Sequence, residues 1–276
     1  MKTFRTIGVA LLFMSWAWAQ QGSLKVGVAL LPQSTWLLNQ DDSDAGPELD
    51  YVTTWGFAGG LTAAYNLTDY LGVGLDILYS SQGQKYKGTT SGTNWTSRTQ
   101  LNYLKLPFLL RFNSDPNSPV QFSFFVGPQL NYLLSYRDKI EATTSFGTAT
   151  GEISGTTYTT TISGGGLTVT DSEKLTAPAY KSLTFGAALG LGVGFQLTDE
   201  LSLSVHFRGD YSFGDVENKD CKVDHTTHGG AQEPFWEVKP KYGASSSPTP
   251  AGYKRPATSA ITGGLMLGLT YTLPLR

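Results

Sequence analysis

The sequence predicts an all-β fold: an eight-stranded antiparallel up-and-down transmembrane β-barrel with short periplasmic turns and long extracellular loops. Three observations predict it. Apolar and polar residues alternate in long runs, one face of each run is large and apolar, and the links between runs alternate short and long. Composition agrees. Of 276 residues, 32 are glycine, 12% are aromatic and 15% are charged, against about 25% charged in soluble proteins. A formal net charge of −2 gives no basis for nucleic-acid binding.

The N-terminus sets the destination. Lys2 and Arg5 precede an apolar core from Ile7 to Trp16, which ends in Ala17-Trp18-Ala19. This predicts a cleaved secretory signal peptide over 1–19 and one barrel domain over 20–276, bound for the outer membrane of a Gram-negative bacterium. No later stretch of 18 apolar residues predicts a transmembrane helix. The lone Cys221 excludes an intrachain disulfide framework and reads as an isolated loop thiol.

The runs lie near 23–32, 53–66, 71–82, 99–112, 120–135, 181–196, 201–214 and 259–273. A tilted membrane strand needs about 9–11 residues, and an ordinary strand about 5–6; these runs match the former. In the seventh, Leu201, Leu203, Val205, Phe207, Tyr211 and Phe213 oppose Ser202, Ser204, His206, Arg208, Asp210 and Ser212. Period two means β. The polar faces carry Gly186, Gly190, Gly192, Gly194, Gly264 and Gly268. Glycine weakens a water-facing strand but fits a crowded narrow lumen. The polar face therefore points inward, and the apolar face meets lipid. Tyr65, Tyr79, Tyr136, Tyr211 and Tyr271, near run ends, fit interfacial girdles.

The short links, 66–71, 113–119 and 196–201, belong to the periplasmic rim. Two repeat a phrase, NLTDYL and QLTDEL, in which Thr68, Asp69, Thr198 and Asp199 supply oxygens that can cap turn amides. The third turns on Asp115 and Pro116. Of the long links, 137–180 is Thr-rich and still alternates. It predicts a hairpin in which the fifth and sixth runs continue past the membrane, with a flexible low-complexity tract as the alternative. The 215–258 link, rich in Pro and aromatics, predicts irregular, mobile chain. DDSDAGPELD in the first loop reads as a solvated acidic cluster rather than a cation site.

Inward polar residues are Lys25, Asp76, Lys105, Arg111, Gln121, Gln129, Asn131, Gln196, His206, Arg208 and Asp210. Charges in a narrow lumen need partners, which predicts a polar network centred on Lys105, Arg111, Arg208 and Asp210. It reads as a plug, since eight strands leave an interior filled by side chains. A charged constriction of a small pore is the alternative. No catalytic site, cofactor or metal site is predicted. His206 lies near Ser204 and Asp210 on one strand, but same-face neighbours are about 7 Å apart, too far for short side chains to bond. Cys221, His225 and His228 match no zinc spacing.

YLKLPFLLRF at 103–112 resembles a strand of the small outer-membrane β-barrel proteins of Bacteroidetes, a porin-family or PorT-like group. FFVGPQLNYLL at 124–134 is similar to the strand that follows it there, with Gly–Pro mid-strand. The resemblance covers the mature chain in architecture and about 35 residues in motif. It implies an eight-stranded outer-membrane barrel without assigned activity; PorT-type members take part in protein secretion. Gly268, Tyr271 and Leu273 also resemble the C-terminal signal read by the barrel-assembly machinery, although the chain ends LPLR. The reading is therefore a monomeric, non-enzymatic barrel set in outer-membrane lipid, whose loops meet an extracellular ligand or envelope protein. A narrow passive pore, or an accessory component of an envelope or secretion complex, is the alternative.

Overall fold

A computed structural model of the chain describes residues 22–90, 93–114, 118–145, 147–226, 230–236 and 253–274. The stretch 1–19 predicted as a leader, and Asp115, Pro116 and His228, lie outside these. Fourteen strands are described: β1 (Ser23–Leu38), β2 (Asp50–Val52), β3 (Thr54–Asn66), β4 (Leu71–Thr90), β5 (Thr93–Asn113), β6 (Val120–Thr144), β7 (Gly147–Ser154), β8 (Thr157–Gly164), β9 (Leu167–Leu175), β10 (Leu183–Gln196), β11 (Leu201–Phe213), β12 (Lys222–Asp224), β13 (Gln232–Pro234) and β14 (Ser259–Pro274). Eight of them close a ring in the order β1, β3, β4, β5, β6, β10, β11, β14. Closure is what lipid demands, because an open sheet edge in hydrocarbon has no water to bond. No helix among the described residues is long and apolar enough to cross a membrane; the strands cross it.

The outward faces of the ring are exposed and apolar: Val28, Leu61, Ile77, Phe108, Phe122, Leu191, Phe207 and Leu265 are examples. The periplasmic ends of the strands match the sequence runs, and the LTD turns are built alike. Leu67 and Thr68 donate their amides to the Leu71 carbonyl, as Leu197 and Thr198 do to that of Leu201. Thr68 Oγ1 accepts from the Leu71 amide at 3.0 Å, and Thr198 Oγ1 from that of Leu201 at 3.0 Å. Asp69 and Asp199 cap no amide among the described residues; they line the mouth of the barrel instead.

At the other rim the strands run on. β1 passes Pro32 and reaches Leu38. Pro32 sits in a gap in the β1–β14 ladder, between the pairs Leu30–Leu267 and Gln33–Gly264, where its missing N–H forfeits nothing. β4, β5 and β6 reach Thr90, Thr93 and Thr144, well beyond the predicted limits of 82, 99 and 135. The runs at 120–135 and 181–196 pair within the ring, from Val120–Phe195 to Tyr132–Leu183, but their predicted continuation as a hairpin past the membrane does not form. β6 pairs with β7 instead, and β7, β8 and β9 continue as a meander. Glycines in the left-handed region make its turns: Gly155 at φ 62°, then Gly165 and Gly166 at 59° and 83°. The Thr-rich tract is therefore ordered sheet, with β12 and β13 on its far edge.

A bulge corrects one girdle assignment. Between Asn102 and Tyr103 the β5–β6 register shifts, so Tyr103 pairs with Leu133 and Asn102 with Ser135. The extra residue, Leu134, inverts the parity of β6 beyond it. Tyr136 consequently faces in and is buried, while Tyr79, Tyr211 and Tyr271 remain exposed.

Inside, Ala29, Leu31, Ala58, Leu109, Phe125, Ala188 and Met266 form an apolar layer. Gly190 stands opposite Phe125 on β10, and a Cβ there would lie 2.3 Å from the ring. The lumen glycines thus make room for a particular aromatic. Gly190→Val is expected to destabilise the barrel by about 1–3 kcal/mol through overpacking, read by urea unfolding in detergent. Phe125→Leu in the same chain is expected to recover part of that loss; no recovery would show that Gly190 is required for another reason.

Candidate functional site

The lumen holds three levels, and Arg208 occupies the middle one. Its side chain has no solvent exposure. From β11 it donates Nε to Asp210 Oδ1 at 2.9 Å, Nη1 to Asp76 Oδ2 on β4 at 3.0 Å, and Nη2 to Gln129 Oε1 on β6 at 3.1 Å. Lys105 on β5 reaches the other oxygen of Asp210 at 2.9 Å, and Thr262 on β14 donates to that oxygen at 3.1 Å. Gln129 donates to Asn131 at 2.7 Å, and Asn131 to Thr184 at 3.4 Å. Two of these contacts join residues two apart on one strand. The roughly 7 Å spacing that separates short side chains is spanned when one partner is as long as Arg or Gln.

Below this level the network stops. Arg111 makes no hydrogen bond or ion pair among the described residues; its guanidinium lies 5.7 Å from the centre of the Phe125 ring, to which Arg208 also lies close, at 5.9 Å. His206 Nε2 pairs with Ser123 Oγ at 2.7 Å, and its Nδ1 has no partner among the described residues. No carboxylate orients this ring, so the described residues assemble no Ser–His–Asp arrangement. Lys25 stands nearer the rim, also unpaired among the described residues. It lines a periplasm-facing cavity of about 400 Å³ together with Gln121, Gln196 and the two LTD turns. Of the residues singled out from sequence, Asp76, Lys105, Gln129, Asn131, Arg208 and Asp210 therefore meet; Lys25, Arg111 and His206 lie apart, around the vestibule.

Sequence reasoning missed the third level, which caps the outer mouth. Arg255 grips Asp42 through Nη1 and Nη2 at 2.8 and 2.7 Å and Glu217 through Nε at 3.1 Å, all three side chains about 1% exposed. Burial works against the charge on Arg255, but hydrogen bonds to Asp42 and the charge of Glu217 hold its pKa above the ordinary value. The acidic cluster of the first loop is thus only partly solvated: Asp44, Glu48 and Asp50 are exposed as predicted, while Asp41 and Asp42 are buried and Asp42 is an internal counter-ion. At the same end of the barrel Leu37, Leu101, Tyr103, Tyr136, Tyr180, Val216, Cys221 and Trp236 pack into a hydrophobic core. Cys221 is a core residue rather than a loop thiol: burial raises its pKa to about 11, and its Sγ donates to the Ala177 carbonyl. Of the 215–258 link, 227–229 and 237–252 lie outside the described residues; the described part is largely irregular, as predicted, and Val216, Glu217, Cys221, Trp236, Arg255 and Thr258 are buried in it. His225 bonds Glu173 at 2.5 Å, which ties the end of β12 to β9, and no cluster able to hold a metal occurs among the described residues.

Two outcomes follow from these partners. Arg208→Met leaves Asp76 and Asp210 buried against one cation and is expected to cost about 3–5 kcal/mol in unfolding free energy; adding Asp76→Asn is expected to return part of it. At His225 the hydrogen bond that Nδ1 donates to the Glu173 carboxylate raises the pKa against a smaller effect of burial. The sign is that of a raised base: the contribution is full below the ordinary histidine value of about 6.5 and is lost as pH rises through the folded value. The protection factors of the Val223 and Asp224 amides, each referred to the intrinsic exchange rate at the same pH, are therefore expected to be larger at pH 5.5 than at pH 8, and His225→Ala should erase that difference in protection.

The comparisons with known proteins add the family. A family model described as an outer membrane protein beta-barrel domain matches residues 18–218. A search of curated proteins gives no match. Among solved structures, Neisserial surface protein A is 12% identical over 92% of this chain and 98% of its own, with a TM-score of 0.33. Ail, the attachment invasion locus protein of Yersinia pestis, is 11% identical over 92% and 100%, at 0.33. OprG from Pseudomonas aeruginosa is 11% identical over 92% and 96%, at 0.38. At such scores these likenesses carry nothing beyond themselves, and the fold rests on the closed ring and the family model. The chain belongs to the family of outer-membrane proteins with this β-barrel domain, and its place is the outer membrane.

Proposed function

We propose that the protein is a closed-lumen anchor, monomeric and without catalytic activity, which holds an ordered β-sheet outside the cell for contact with a ligand, surface or envelope partner. One observation carries this reading: Arg208 and Phe125, at the waist of the barrel, are both fully buried. A solute path would need those side chains wetted. The eight-stranded ring instead spends its interior on packing, as narrow barrels do, and its strands spend their extra length beyond the membrane. β4, β5 and β6 build a wall there, and β7, β8 and β9 extend it sideways.

The outer sheet suits contact better than chemistry. Its β8–β9 hairpin pairs Thr159 with Ser172, Thr161 with Thr170 and Ser163 with Thr168, a ladder of exposed hydroxyls. The opposite face of the same hairpin exposes Ile162, Leu167 and Val169. A surface with one hydroxyl face and one apolar tip offers both hydrogen bonds and buried area to a partner. The PorT-like resemblance of 103–112 and 124–134 favours an accessory role in a secretion or envelope complex as the second reading. The leader over 1–19 and the C-terminal strand, with Gly268, Tyr271 and Leu273, fit export followed by insertion through the barrel-assembly machinery.

Planar-bilayer recording separates anchor from pore. Purified protein is expected to give no steady unitary current, and Phe125→Ala with Arg208→Ala is expected to open one. Steady currents from the unaltered protein would end the anchor reading.

A further inference from the structure

We propose that the lower lumen is a blind site for a phosphate group, entered from the periplasm. Lys25, Arg111 and His206 all line one cavity of about 60 Å³. Lys25, Asn66, Gln121 and Gln196 line both this cavity and the vestibule of about 400 Å³ outside it. The sheet register brings the two cations to one height. Arg111 stands opposite Gly72 on β4, but its stem rises to Gly74, where a Cβ would lie 3.3 Å from Arg111 Cδ. Gly74 stands opposite Ala64 on β3, and Ala64 opposite Lys25 on β1. Gly74 thus leaves the path by which Arg111 turns inward, and the Phe125 ring receives its guanidinium at 5.7 Å.

The described residues do not answer these charges. A ring offers the N–H groups of Arg111 no acceptor oxygen. Asp76 acts on Arg111 through its charge but is already bonded to Arg208. No carboxylate lines the smaller cavity. Asp69 and Asp199 line only the vestibule, on exposed turns where water and salt screen them. From the rim up to the Arg208 network, the inward charges are Lys25, Lys105, Arg111 and Arg208 against Asp76 and Asp210. Two positive charges therefore stand without a counter-charge among the described residues, in an interior where that is costly. His206 is buried at 3% exposure, and its Nδ1 is a third polar group without a partner there.

Charge and size select the ligand. A dianion balances two cations, and a chloride or a single carboxylate does not. A cavity of about 60 Å³, against about 30 Å³ for one water, holds one compact group rather than a chain. A phosphate group is compact, close to divalent and rich in acceptor oxygens. The Arg111 fork takes two of these oxygens with parallel hydrogen bonds, and Lys25 adds a point charge. His206 donates through Nδ1 in the tautomer whose Nε2 accepts from Ser123 Oγ. Outside Lys25, the amides of Asn66 and Gln121 and the hydroxyls of Ser114 and Thr272 line the vestibule. A small polar body esterified to the phosphate finds hydrogen-bond partners there. Phe125 and Arg208 close the far end, so the group leaves by the mouth it entered.

The test titrates the full barrel in neutral detergent at pH 8 with inorganic phosphate and with glucose 1-phosphate, reading calorimetric binding and the thermal unfolding midpoint. The unaltered protein is expected to bind phosphate saturably and to gain midpoint with it. Sodium chloride and sodium acetate at equal ionic strength should give neither effect. Lys25→Gln with Arg111→Gln should weaken phosphate binding at least tenfold. In phosphate-free buffer the same variant should melt in one transition at or above the unaltered midpoint, because it relieves uncompensated charge; that transition shows it to be folded. Lys85→Gln with Arg98→Gln, an equal charge loss on the outer wall, should leave binding unchanged. Tighter binding of glucose 1-phosphate would assign the vestibule to the body of a phosphate ester; equal or weaker binding would assign the site to the free ion. No saturable binding of either, equal effects from chloride or acetate, full binding by the Lys25 and Arg111 variant, or loss of binding in the outer-wall variant would overturn the site.

Discussion

Arg208 sits where eight tilted strands leave no space for water, so its charge has to be answered by protein groups alone. That requirement organises the barrel. Asp76, Gln129 and Asp210 must point inward at one height, which fixes the parity of β4, β6 and β11 at once. Lys105 and Thr262 then balance Asp210 from β5 and β14. A slip of one residue in any of these strands would carry a charge into lipid. Apolar packing of the same volume is often as stable as a buried ion pair; what the network adds is a register that several strands share. Closing the ring and filling it are in this sense one event.

The outer cap repeats the principle with different means. Arg255 draws the first loop, through Asp42, and the last loop, through Glu217, over the mouth of the barrel. Tyr136, Tyr180 and Trp236 stack edge to face at the same end of the barrel, with ring centres 5.0 and 5.7 Å apart. Long loops have many conformations to lose, and an internal ion cluster with an aromatic core offsets that entropy where no lipid contact can. The result is a barrel closed at the waist and at the outer rim, with its open vestibule on the periplasmic side. Among the described residues, the surface turned to the outside is largely the sheet that β4 to β9 build, together with the outer wall of the strands.

Much of this was legible in the sequence, because a strand has a period of two and obeys it. Alternation alone located the eight crossings, their periplasmic ends and the inward placement of Lys105, Arg208 and Asp210. Parity is reliable until something breaks it, and the bulge at Leu134 does so without any local signal; Tyr136 was misplaced for that reason. Phe125 shares the inward face with Gln121, Ser123 and Gln129, and its role emerges only against Gly190 on a strand 65 positions away in sequence. The glycines themselves were the available signal: a row of them implies a bulky partner opposite. The cap was not legible at all. Asp42 and Arg255 are separated by 213 positions, Glu217 and Arg255 by 38, and each stands in a segment with no periodicity. Composition alone made the acidic loop look solvated, and it gave no hint that an arginine would return to it.

The central claim is that Arg208 is dry. Proton exchange at its guanidinium measures this directly. In isotope-labelled protein in micelles or lipid, the Nε and Nη protons of Arg208 should exchange with deuterated solvent many-fold more slowly than those of the exposed Arg98, and should persist when periplasmic and outer faces are both in contact with buffer. Exchange of Arg208 at the rate of Arg98 would mean that water reaches the waist of the barrel, and that the lumen is a conduit rather than a core.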